Sequence, residues 1–281
     1  MALLPTLAHA DSRVSLWEVR GDKATVYLYG SIHMCRASCY PLPASVLRRF
    51  DAAPTLAVEL DPYRPEVQWG LQQAGTLPAG QRLADLLDAE DAARLDALLA
   101  ELNLPATAFA SMQPWMAGTM IGLVAAQRAG LRVERGIDLW LVDRARRQGK
   151  PVAELETVER QIASVQAGGI DEQVAGLRMV MDQWRLHRLG PYFDELVQAW
   201  QVGDAARVDA LLREAGGSDE RWRAALLDER NKEMSLKIAD WLEAGRPTFV
   251  VVGVGHLAGA GSLVELLAGR GYAVRQLGAN D

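Results

Sequence analysis

The stretch Thr248-Phe249-Val250-Val251-Val252-Gly253-Val254-Gly255-His256 limits most sharply what this chain can fold into. An unbroken apolar run bounded by Pro247 and by glycines reads as a strand buried on both faces, the kind found inside a parallel or mixed sheet. The run closes on His256. Far away, Thr25-Val26-Tyr27-Leu28-Tyr29-Gly30-Ser31-Ile32-His33 repeats the design, so Gly-x-x-His occurs twice, each time where an apolar strand runs out. Of only four histidines in the chain, two therefore hold equivalent positions.

Around these two segments the pattern alternates between strand and helix. Val14 to Arg20 alternates at period two, and Gly21-Asp22-Lys23 turns it back into the Thr25 strand, a hairpin signal. Pro41 to Phe50 reads as a helix and Thr55-Leu56-Ala57-Val58-Glu59-Leu60 as a second buried strand, ended by Pro62 and Pro65. Glu59 sits in that apolar run, and a buried carboxylate is costly unless it meets a cation. Pro151 to Glu156 reads as a third short strand that puts Glu154 and Glu156 on one face, and Thr157 caps a helix through Val158, Ile162 and Val165. The closing strand is Tyr272 to Leu277, after a helix from Leu257 to Ala268.

Two long stretches, about 82–149 and about 171–245, carry amphipathic helical patterns. In the first, Asp138 of Gly136-Ile137-Asp138 reads as a helix N-cap before Leu139. In the second, His187 lies among Arg185 and Arg188 and reads as a solvated helix residue. The row Trp222, Leu226, Met234, Ile238 recurs at multiples of four and includes Arg230. A guanidinium on a core-facing row meets a carboxylate or an anionic ligand, or else snorkels past the edge of the stripe.

Strands separated by helices predict an α/β fold, a central mixed sheet flanked by helices, with the helical insertion covering the strand-end site. In such sheets ligands collect outside the carboxyl ends of the strands, where His33, Glu59, Glu156 and His256 all fall. Two imidazoles and a carboxylate suit Zn²⁺, Mn²⁺, Fe²⁺ or Co²⁺, leaving a second carboxylate free to act as general base. Residues 13–281 are read as one domain.

The balance of charge narrows the partners. A net charge of −6 with no dense Lys/Arg block excludes nucleic acid as the main partner, and no apolar run is long enough for a transmembrane helix. Residues 1–12 read as a remnant of a secretory signal, with a small-x-small cleavage pattern at Ala8-His9-Ala10, which predicts a periplasmic or secreted protein, with the cytoplasm as the alternative. Cys35 and Cys39 are the only cysteines. In an oxidising compartment they close a small disulfide; in a reducing one they are free thiols or soft ligands. The absence of a second Cys pair favours the disulfide.

Tyr29-Gly30-Ser31-Ile32-His33, Ala57-Val58-Glu59-Leu60, Gly136-Ile137-Asp138, Leu155 to Gln161, Glu229-Arg230-Asn231 and Val252 to Leu257, in that order, resemble the TraB/GumN family over nearly the whole chain after residue 13. That family includes the Tiki metalloproteases and is similar in fold to erythromycin esterase and the ChaN-like haem-uptake proteins. The resemblance implies that His33, Glu59 and His256 hold a divalent metal (Mn, Co or Zn), favours Glu156 over Glu154 beside Arg230 in the catalytic set, and points to hydrolysis of a peptide or protein. It also leaves two rivals: a metal-independent esterase, and a haem- or peptide-binding protein without turnover.

Overall fold

A computed structural model describes residues 13–216 and 220–281; the signal-like segment of residues 1–12 lies outside the described residues. Six strands form one sheet: β1 (Arg13–Arg20), β2 (Thr25–Ser31), β3 (Thr55–Val58), β4 (Val152–Glu154), β5 (Thr248–Gly253) and β6 (Ala273–Gly278), in the spatial order β4-β3-β5-β2-β1-β6. The expected hairpin is β1 with β2, antiparallel, and β6 closes the far edge antiparallel to β1. The other pairings, β2 with β5, β5 with β3 and β3 with β4, are parallel. The sheet is therefore mixed, and the carboxyl ends of four neighbouring strands open on the same edge.

The central position of β5 follows from its composition. A strand paired on both sides and covered on both faces has no water-facing side chain, and Thr248 to Val252 are all buried. Its period-two alternation divides the core. Phe249 and Val251 pack with Tyr29, Leu56, Val58 and Phe50 on one face. Val250 and Val252 pack with Leu28, Ala57, Met234 and Ile238 on the other. Each such side chain stabilises the fold by about 1.5–3 kcal/mol when fully buried.

The helices are α1 (Ala44–Ala52), α2 (Pro65–Ala74), α3 (Ala89–Glu101), α4 (Pro114–Arg128), α5 (Ile137–Arg147), α6 (Val158–Val165), α7 (Gly169–Arg185), α8 (Leu189–Gln201), α9 (Ala205–Gly216), α10 (Glu220–Arg223), α11 (Glu229–Glu243) and α12 (Leu263–Gly269). Much of the helical stretch has its own core, in which Leu95, Leu98 and Leu99 of α3 meet Ile121 of α4 and Leu177 and Met181 of α7. It is tied back to the sheet by α8, where the Trp200 indole N–H donates to the Gly30 carbonyl at 2.6 Å.

Several local readings change, and the expected helix from Leu257 to Ala268 begins only at Leu263, after a 3-10 turn at Val254–Leu257. His187 is exposed, but it lies in the break between α7 and α8 with φ of 54°, so it belongs to a left-handed turn rather than a helix. Between α10 and α11, Ala224–Asp228 form a π-helical turn, so the row of fours from Leu226 to Arg230 crosses an extra residue. Beyond that turn Arg230, Asn231, Met234, Ser235, Ile238 and Leu242 form the buried face of α11.

Candidate functional site

At the end of β2 the chain leaves the sheet through Gly30-Ser31-Ile32-His33, and the local sequence dictates its path. A Cβ on Gly30 would stand 2.9 Å from Cγ2 and 3.2 Å from Cα of Val254, so only glycine lets the two Gly-x-x-His segments cross this closely. The N-terminus of α5 docks on the same segment: the Ile137 N–H donates to the Ile32 carbonyl at 3.0 Å. Gly136 is needed there because a Cβ would lie 2.5 Å from the His33 carbonyl oxygen.

Asp138 follows in the first turn of α5, and its Oδ2 lies 2.8 Å from His33 Nδ1. This replaces the capping role expected from the sequence, since the N-cap position is Gly136. The Asp138 carboxylate raises the His33 pKa, by charge and by hydrogen bonding. The His33 side chain is 71% exposed, so its ring stands at the solvent side of the site. Below it, Cys35 and Cys39 are joined by a disulfide, and Cys35 pairs with Arg132 in an isolated bridge.

The second segment is buried. His256 lies in the 3-10 turn Val254–Leu257 beyond β5, and its Nδ1 lies 2.7 Å from Asn231 Oδ1. Its Nε2 faces Glu59 Oε1 at 3.7 Å. Burial lowers the His256 pKa to about 4 against the pull of Glu59, so the ring is neutral at neutral pH.

Glu59 stands one residue past β3 rather than inside the strand, because the ladder ends at Val58. Its Oε1 accepts from the Gly253 N–H at 2.6 Å and its Oε2 from Arg230 Nη2 at 2.6 Å. Burial works against its charge, but His256, Arg230, His33 and the Gly253 amide outweigh that effect and hold its pKa at about 2. Glu156 lies two residues beyond β4, and its Oε2 accepts from Arg230 Nε at 2.9 Å. Burial pushes its pKa up against Arg230.

Arg230 is thus aimed inward, and the snorkelling alternative is overturned: the residue is 6% exposed and its planar fork spans both carboxylates. Its Nη1 donates to the carbonyl of Leu226, within the π turn, at 2.9 Å. The two glutamates of the third strand part company. Glu154 Oε1 accepts from the Asp61 N–H at 2.9 Å and its other oxygen pairs with Arg64, so Glu154 braces a loop while Glu156 faces Arg230.

The structure therefore gathers Glu59, Glu156, Arg230 and His256 around one strand-end position, with His33 at its rim and close enough to feel the charges of Glu59 and Arg230. Among the described residues, no group of three or more His, Cys, Asp or Glu side chains stands close enough to hold a metal ion. Two residues go unassigned by sequence reasoning. Asp138 has the signature of a cap, and Asn231 sits beside Arg230 with nothing in a helical pattern to mark it as a histidine partner. Only the short strings Gly-Ile-Asp and Glu-Arg-Asn single them out.

No helix among the described residues is long and apolar enough to cross a membrane. The uncharacterized protein YbaP of Escherichia coli (strain K12) is 29% identical over 243 residues, which cover 86% of this chain and 87% of that protein. The metalloprotease TIKI1 of Danio rerio is 24% identical over 323 residues, covering 97% of this chain and 65% of that protein. An uncharacterized protein of Treponema pallidum (strain Nichols) is 23% identical over 292 residues, 95% of this chain and 83% of its own. No solved structure matches. The profile of the TraB/PrgY/gumN family matches residues 15–276, from β1 through every strand end that builds the site, and the chain belongs to that family.

Proposed function

We propose that this protein is a metal-dependent hydrolase acting on peptide bonds, with His256 and Glu59, which already face each other, as donors for one divalent cation and His33, at the rim, as the residue that would complete the set. The observation that carries the reading is the meeting of His256 and Glu59. A neutral imidazole, its Nδ1 turned to an amide oxygen, presents a lone pair at Nε2 toward a carboxylate oxygen 3.7 Å away. Two acceptors facing each other with no proton between them repel, and a cation between them removes the repulsion; donors about 3–4 Å apart suit one ion at a bond length of about 2.1 Å.

The donor set, two imidazoles and one carboxylate, suits Mn²⁺, Co²⁺ or Zn²⁺. Such an ion would polarise a carbonyl and make water nucleophilic near neutral pH. The chain's own residues supply the rest. Arg230 holds Glu59 in place by its Nη2 and keeps Glu156 beside it. Glu156, whose pKa is raised by burial, is suited to take a proton from water and return it to the leaving amine. His33 lies at the rim with its Nδ1 held by Asp138, and because Asp138 raises its pKa, Nε2 would give up a proton on holding the ion. Likeness to a relative named a metalloprotease supports both the metal and the peptide substrate.

A second reading has an observation of its own. The exposed His33 paired with Asp138 is an imidazole with its orienting carboxylate, an arrangement that would serve a metal-independent esterase once the ring is deprotonated. Chelator-treated protein assayed on a peptide library and on simple esters separates the two. Peptide cleavage lost with the chelator and restored by Mn²⁺, Co²⁺ or Zn²⁺ supports the metal-dependent reading; ester turnover indifferent to chelator supports the other.

A further inference from the structure

We infer that Asn231 is a positioning residue that selects the tautomer of His256, fixing its proton on Nδ1 so that Nε2 presents a lone pair to Glu59. The inference about the tautomer stands on hydrogen bonding alone; its consequence for cation binding rests on the metal-dependent reading above.

The geometry leaves Asn231 one orientation. Its side chain is buried, the residue being 1% exposed, and both ends of its amide are engaged. The Nδ2 group donates to the Gly261 carbonyl at 2.9 Å, and Oδ1 lies 2.7 Å from His256 Nδ1. Turning the amide over would set Oδ1 against the Gly261 carbonyl oxygen, two acceptors in contact, so the assignment follows from the network. With Oδ1 toward the ring, Nδ1 must carry the hydrogen.

The anchor of this chain is itself held. Gly261 has φ of 74°, a conformation side-chain-bearing residues rarely adopt, and its N–H donates to Glu265 Oε2 at 3.1 Å at the start of α12. Arg223, just before the π turn, donates to the carbonyls of Ala258 and Ala260 on the same loop. The π turn then places Arg230 and Asn231 both on the buried face, so one neighbour reaches the carboxylates and the other the imidazole. An amide in this role orients the ring without adding a third negative charge beside Glu59 and Glu156, which a carboxylate at the same place would do.

The test reads the tautomer directly. With four histidines in the chain, protein labelled with ¹⁵N in histidine side chains gives few signals, and the one absent from His256→Gln belongs to His256. In chelator-treated protein at neutral pH, long-range ¹H–¹⁵N spectra are expected to show the hydrogen on Nδ1. Asn231→Leu is expected to shift the population toward the Nε2–H form, and Asn231→Asp, which keeps an acceptor, to restore Nδ1–H. Mn²⁺ affinity measured by calorimetry is expected to fall about ten- to hundredfold in Asn231→Leu. An Nε2–H wild-type ring overturns the inference even if Asn231→Leu fails to fold, and so does an unchanged Nδ1–H ring in a folded Asn231→Leu. The expected tautomers with none of Mn²⁺, Co²⁺ or Zn²⁺ bound by either protein support the positioning role while overturning the metal-dependent reading.

Discussion

Arg230 neutralises two carboxylates and sets their geometry at once, and substitutions separate these roles. Arg230→Met leaves Glu59 and Glu156 facing each other without a cation in a buried place, and is expected to cost about 3–5 kcal/mol in denaturant unfolding. Arg230→Lys keeps the charge but cannot span both carboxylates with a planar fork. Because the fork orients Glu59, we expect this variant to lose at least about tenfold in Mn²⁺ affinity as well as in turnover. Lost turnover with unchanged affinity would instead place Arg230 at the developing negative charge of the substrate. Glu59→Gln keeps the shape of the side chain and should weaken Mn²⁺ binding by about tenfold or more with the fold intact. Full metal uptake and activity in that variant would leave Glu59 as a core carboxylate serving Arg230 and Gly253 alone.

At the scale of elements, the loop after β2 links the disulfide to the rim histidine. Cys35 and Cys39 enclose few residues, so the chain entropy they remove amounts to about 2 kcal/mol at most. The Cys35→Ser, Cys39→Ser double variant is expected to lower the melting temperature by only a few degrees. Hydrogen exchange should rise in the segment from Ile32 to Tyr40 far more than in β5. Equal loosening of the whole sheet would show that the bridge supports the core and not this loop.

For the whole molecule, the two histidines give the metal-free protein a distinctive pH profile. The His33 pKa is raised in the folded state, so the folded form binds the extra proton, and this stability is present below the ordinary pKa of 6.5 and lost as pH rises. His256 is lowered to about 4, so the unfolded chain takes a proton that the folded one refuses. That stability is present above pH 6.5 and is lost as pH falls toward 4, by about 3 kcal/mol. Stability of chelator-treated protein is thus expected to peak near pH 6.5. Urea melts across the range check this: His256→Gln should flatten the acid side, His33→Gln the alkaline side. A profile unchanged by either variant would show that neither ring titrates as its surroundings imply.

The amino-acid pattern alone determined a good deal. The apolar run from Thr248 to Val252 can only be satisfied between two parallel neighbours and two covered faces, so the α/β class and the central strand were legible in it. The expected strands recur in place, with ends moved by at most two residues, and Thr157 caps its helix through the Arg160 N–H as its position suggests. The gathering of polar side chains at the strand ends was legible too, because both Gly-x-x-His segments follow strands that the pattern marks as buried neighbours. Tertiary structure decided who meets whom. Glu154 and Glu156 are equivalent in a period-two reading, and only the fold sends one to Arg64 and the other to Arg230. Asp138 and Asn231 have the composition of caps and solvent-facing positions; their partners lie 105 and 25 residues away, a separation no local pattern encodes. The π turn before Arg230 is likewise invisible to a count of fours, because an inserted hydrogen-bond step depends on the groups the helix must reach and not on its own residues.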